Sequence, residues 1–125
     1  MTQISANELR VGNWIQTPVR KKAMQANIKV IRMLQTRPNV FEAIQITPEW
    51  LDRFGFEKCL LDDITYYNLQ LTANCDYNLA IGCDTKNEFI EVRLYPYGKH
   101  FRYRFVHQLQ NLYHAITGTE LTIKP

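Results

Sequence analysis

At 125 residues, 46% hydrophobic and 22% charged, with a net charge of +3, the chain is one domain's worth of polypeptide, too short for a catalytic domain plus a substrate domain. No apolar run approaches bilayer length, and the first five residues lack the basic and apolar blocks of a secretory signal, so a cytoplasmic protein is expected. Three cysteines, Cys59, Cys75 and Cys83, are odd in number and lack CxxC spacing, which argues for reduced thiols against a disulfide framework or zinc.

In chain order, Gly12 marks a turn before a strand over residues 13–16, which Pro18 ends. The basic stretch 19–26 reads as an exposed loop. Residues 27–35, where Ile28, Val30 and Met33 interleave with Lys29 and Arg32, read as a β-rich run. After a turn at Arg37-Pro38-Asn39, a third strand is expected over 40–46 through Val40, Ala43, Ile44 and Ile46. These three predict a small antiparallel N-terminal part, partly open and barrel-like.

Residues 47–55 carry the clearest helix punctuation: Thr47 as N-cap, Pro48 at the first helical position and Gly55 just past the end. Phe56 is placed to fold back onto Leu51. Beyond Asp62-Asp63, four alternating runs at 66–72, 77–83, 88–95 and 99–105, joined by hairpin-length links, predict a four-stranded antiparallel meander over 66–105. Its apolar face takes in Tyr67, Leu69 and Leu71, then Leu79 and Ile81, then Ile90, Val92 and Leu94, then Phe101, Tyr103 and Phe105. Glu91, Arg93, His100, Arg102 and Arg104 point the other way. A final helix over 106–117, capped by Gly118, is expected to pack the meander through Val106, Leu109, Leu112, Tyr113 and Ile116, leaving His107, Gln108, Gln110, Asn111 and His114 on its wetter side. Residues 121–123 suggest a last edge strand. The predicted class is α+β, a single domain over 1–125.

Chemistry is sparse. His107 and His114, with His100 nearby, have neither HExxH spacing nor an accompanying acid cluster, and read as surface or boundary histidines. Asp62-Asp63 fits a solvated turn better than a metal site. Nucleophilic cysteine catalysis would need a base and an oxyanion site that no motif identifies. Walker, GxGxxG and GxSxG patterns are absent from the sequence, so no enzyme, cofactor or metal is expected. The basic and aromatic stretch 95–104 is the strongest binding signal. Strand alternation separates Phe101 and Tyr103 from Arg102 and Arg104, so it is open whether this is an ordinary amphipathic hairpin, an RNA platform or a cationic face for an acidic protein patch.

Three stretches carry a resemblance: Glu8-Leu9-Arg10-Val11-Gly12-Asn13-Trp14; Ile46-Thr47-Pro48-Glu49-Trp50-Leu51 with Phe54-Gly55-Phe56; and Val106-His107-Gln108-Leu109-Gln110-Asn111-Leu112-Tyr113 with Thr117-Gly118 and Glu120-Leu121. In them the chain resembles a family of small proteins of Bacteroidetes, their phages and mobile elements. The stretch 19–26 departs from that family's compact, glycine-containing hairpin. The chain is also similar in size and origin to an anti-CRISPR inhibitor of the RNA-guided RNase of type VI-B systems. The resemblance implies a non-enzymatic, phage-encoded interaction protein whose basic surface binds this host defence effector and interferes with its engagement of guide RNA. Arg20, Lys21, Lys22, Lys99, Arg102 and Arg104 are the candidate contacts. The alternative is a small RNA- or DNA-binding accessory protein.

Overall fold

The computed structural model describes residues 4–61, 64–71, 78–83, 89–95 and 99–124. Its elements in chain order are β1 (Trp14–Gln16), β2 (Ala23–Gln25), α1 (Ile28–Thr36), β3 (Glu42–Ala43), α2 (Pro48–Arg53), β4 (Glu57–Leu61), β5 (Ile64–Gln70), β6 (Asn78–Cys83), β7 (Phe89–Tyr95), β8 (Lys99–Phe101) and α3 (Val106–Thr117), with a 3-10 turn at Ala6–Glu8 ahead of them. The class is α+β, with two antiparallel sheets. The chain divides into two compact units, Met1–Gln45 with Phe105–Glu120, and Ile46–Arg104 with Leu121–Pro125.

In the first unit the sheet order is β2-β1-β3, with Ile15 opposite Met24 on one side and Ala43 on the other. The β1–β2 link is a closed hairpin rather than the expected loop over 19–26. Lys21 N–H donates to Thr17 O at 2.9 Å and Thr17 N–H to Lys22 O at 3.1 Å, and β2 follows at once. Residues 27–35, read as a strand, are helix α1. Asn27 caps it, its side chain accepting from Val30 N–H at 2.9 Å, and burial follows the helical period: Val30 and Leu34, four apart, are buried, while Ile28 is 61% exposed. Strand alternation would have put Ile28 and Val30 on the same face. So the middle strand of the expected barrel-like part is a helix, and β2 takes its place in the sheet. The third strand shrinks to Glu42–Ala43 plus a bridge between Gln45 and Phe105. Ile4, Leu9, Ile15, Ala26, Val30, Leu34, Phe41 and Ala43 form one core cluster.

In the second unit, α2 is capped as its sequence predicts. Thr47 Oγ1 accepts from Trp50 N–H, Pro48 begins the helix, and Gly55 follows it at φ +91°. Phe56 N–H returns to Leu51 O at 2.9 Å and Gly55 N–H to Asp52 O at 3.0 Å, the paired bonds of a Schellman cap, with both Leu51 and Phe56 buried. A five-stranded antiparallel meander follows in the order β4-β5-β6-β7-β8, one strand more than the four predicted. The extra strand, β4, pairs with β5 from Glu57↔Asn68 to Leu61↔Ile64. Its exposed Glu57, Lys58 and Leu60 give it no apolar alternation to read. Val92 and Leu94 on β7 are buried with Arg93 exposed between them, the predicted period of two. On β6 Leu79 and Ile81 are buried as predicted, and the small Ala80 between them is buried as well. The links at 73–76, 84–87 and 96–98, and Asp62-Asp63, lie outside the described residues. The tail is not a strand: Leu121 is buried and Lys124 N–H donates to Arg53 O.

No helix among the described residues is long and apolar enough to cross a membrane.

Candidate functional site

Helix α3 holds one side of a polar network whose other side is the segment 8–14. That segment turns at residues 10–13, where Asn13 N–H donates to Arg10 O at 3.1 Å and Gly12 takes φ +99°, a backbone angle that favours glycine at this turn position. Asn13 is fully buried. Its Oδ1 accepts from Arg10 N–H at 2.7 Å and its Nδ2 donates to Asn111 Oδ1 at 2.9 Å. Asn111 Oδ1 also accepts from Arg10 Nε, while its Nδ2 donates to Glu8 O, both at 2.9 Å. Gln110, 1% exposed, behaves like a neighbouring strand: Oε1 accepts from Trp14 N–H at 2.8 Å and Nε2 donates to Gly12 O at 3.2 Å. The Arg10 guanidinium completes the network by forking onto both carboxylate oxygens of Glu120. Every hydrogen-bonding atom of the Asn13, Gln110 and Asn111 side chains thus has a partner, which is what lets amides be buried without penalty.

His107 is the exception. It is 2% exposed, its ring lies nearly parallel to Phe105 with centroids 6.1 Å apart, and neither ring nitrogen makes a hydrogen bond. Nε2 faces Glu8 Oε2 at 3.4 Å, outside good hydrogen-bond length for a charged pair. Burial pushes the His107 imidazole below its usual value, and the Glu8 carboxylate only partly opposes this. Glu8 also lines an open groove of about 510 Å³ together with the 3-10 turn and Leu34, Gln35 and Pro38, and is the one ionisable group among the described residues of that lining.

These positions correct the reading of α3. His107 and Gln110, expected on the wet side, are buried with Val106 and Leu109, whereas Ile116, expected in the apolar stripe, is 37% exposed. The helix end is as predicted, with Gly118 left-handed at φ 76° and its N–H on His114 O. At its start Phe105 has no capping atom, and Gln108 Oε1 reaches back to Phe105 N–H at 3.2 Å instead. The helix that was expected on the meander belongs to the same unit as β1 and takes its polar partners from residues 8–14. A signal was present: α3 carries no Lys, Arg, Asp or Glu over twelve residues, unusual for a helix with a solvated side.

The six candidate contacts fall three to each unit. Arg20 and Lys22 are exposed in the hairpin. Lys21 is not a free cation: at a left-handed φ of 51° it ion-pairs with Glu42, whose side chain is 4% exposed and also accepts from Gln16 Nε2 at 2.8 Å. The Lys21 ammonium, followed by Gln16, holds the Glu42 carboxyl below its ordinary value against the opposing effect of burial. Val19, beside these cations, is 93% exposed. Arg102 and Arg104 are exposed in the second unit. Of Lys99 only the backbone, in β8, is described, and the side chain of His100 likewise lies outside the described residues. Phe101 and Tyr103 stack on each other with centroids 5.4 Å apart. Among the described residues no group of three His, Cys, Asp or Glu is placed to hold a metal. Cys59 is a free thiol, and the side chains of Cys75 and Cys83 lie outside the described residues.

No family model, curated protein or solved structure matches this chain.

Proposed function

We propose that the protein is a non-enzymatic interaction protein that presents the β1–β2 hairpin to a protein partner, and that the partner is the RNA-guided RNase of a type VI-B system, whose engagement of guide RNA it obstructs. The observation that carries this reading is the anchoring of Lys21. A non-glycine residue in the left-handed region costs on the order of 1 kcal/mol or more, and here the conformation is held by a cross-sheet ion pair with a buried carboxylate. The result is a hairpin braced from beneath, with Val19, Arg20 and Lys22 turned outward. A braced loop loses little entropy on binding, and an apolar side chain flanked by cations suits an acidic-rimmed protein groove or a groove built for nucleic acid. The resemblance of the chain supplies the effector and the mode of action.

The test is titration of the purified effector with this protein while guide RNA binding and target RNA cleavage are followed. Inhibition complete near one equivalent, weakened by Arg20→Glu/Lys22→Glu, is the expected result. Absence of a complex with the effector, or turnover of any substrate at far below one equivalent, would sink the proposal.

A further inference from the structure

We infer a second binding site, on the exposed face of α1, for single-stranded nucleic acid, with Lys29 and Arg32 on the phosphodiester backbone and Ile28 and Met33 against unstacked bases. This site lies on a different element from the hairpin and does not depend on the effector being the partner.

The first ground is the make-up of the helix face. Val30 and Leu34 turn inward, which leaves Ile28, Lys29, Arg32, Met33, Gln35 and Thr36 exposed. That surface holds two cations at i, i+3 spacing, two large apolar side chains and not one acid. An ordinary solvated helix face mixes both signs. Arg37, exposed just beyond the last turn, adds a third cation.

The second ground is the distribution of charge. The first unit carries seven Lys and Arg against three Asp and Glu, whereas the second carries eight against nine. Within the first unit, Glu42 and Glu120 are engaged by Lys21 and Arg10, and Glu8 lies against His107. Five cations, Arg20, Lys22, Lys29, Arg32 and Arg37, remain against that one half-exposed carboxylate. A local surplus of this kind favours a polyanion, because each phosphate contact releases a condensed counterion. Single strands suit this face better than duplex, since Ile28, 61% exposed, and Met33, 37% exposed, need apolar base surface that a duplex keeps stacked.

The experiment is fluorescence anisotropy of a labelled oligouridine with the protein alone, over a range of salt. Binding that weakens steeply with salt is expected. Lys29→Gln/Arg32→Gln should weaken it about tenfold and lower the log–log salt slope by about 1.4, the contribution of two contacts on a single strand. Ile28→Ala/Met33→Ala should weaken it with the slope unchanged, and Lys58→Gln in the second unit should leave it alone. All the side chains changed are exposed or half-exposed, and circular dichroism of each variant checks that the helix persists. No binding at low salt, indifference to Lys29→Gln/Arg32→Gln in a folded protein, or tighter binding to a duplex of equal length would each overturn the inference. Loss of effector binding alone would leave it standing.

Discussion

Arg10 and Lys21 contrast with Lys29 and Arg32, although all four lie in the first unit and all are cations in mixed polar stretches of the sequence. Their fates differ because of what lies within reach. Arg10 binds Asn111, the Gln110 carbonyl and Glu120, and so ties residues 8–14 to α3. Lys21 binds Glu42 and so ties the hairpin to β3. Lys29 and Arg32 project from a helix face without acids. The first pair stabilises the unit and the second leaves it with a field. A basic residue is a candidate contact only after its acid has been looked for, and by that criterion Lys21 belongs with Arg10.

Asn111→Ala tests the structural side of this contrast most severely. It strips partners from Arg10 Nε, from buried Asn13 Nδ2 and from Glu8 O, and should cost about 2 to 3 kcal/mol, read as a lowered denaturant midpoint. With Asn13→Ala the double-mutant cycle should show strong coupling, because both changes break one network. Additive losses would mean that the network is only a set of independent bonds.

Lys21→Met should cost about 1 kcal/mol, less than a fully buried pair because the lysine side chain is largely exposed. Glu42 titrates below its ordinary 4.5, so the stability it contributes is present above that pH and is lost as pH falls through the folded value. In Lys21→Met that acid-dependent loss should shrink, as measured by unfolding between pH 5 and roughly pH 2.

His107 gives the network a pH dependence of its own. Its folded-state value is lowered from 6.5, so the unfolded chain binds the proton more readily. Stability should be full above pH 6.5 and decline as pH falls below it towards the folded value. His107→Leu should remove that slope between pH 7.5 and 5.5. A slope that survives the change would place the titration elsewhere.

The smallest effect on stability is expected at the hairpin tip. Arg20→Ala and Lys22→Ala should each stay within about 0.5 kcal/mol of the parent in unfolding while lowering affinity for the effector. If either destabilises the fold as Lys21→Met does, the distinction between bracing and presenting residues fails.

How much of this was legible in advance varies by element. The caps of α2 are local: Thr47, Pro48, Gly55 and Phe56 act within their own turn, and the structure bears them out. Strand β7 announces itself by alternation, with Val92 and Leu94 buried on either side of exposed Arg93. Helix α1 did not, because its nine residues carry two misleading apolar positions, Ile28 and Met33, which helical geometry leaves outside. β4 was missed because its side chains are mostly exposed and its partner alone makes it a strand. The amide network was the least legible, since Gln and Asn are as common on wet surfaces as in buried networks.

By itself, then, the sequence determined what depends on short range: turn glycines, helix caps, alternation in the meander, and the lack of an apolar run of bilayer length. Tertiary structure alone decided which polar groups are buried and which cations are neutralised. The reason is that a hydrogen bond or ion pair needs a partner at about 3 Å, and for Arg10, Asn13 and Trp14 those partners lie about a hundred residues away, on α3 and at Glu120.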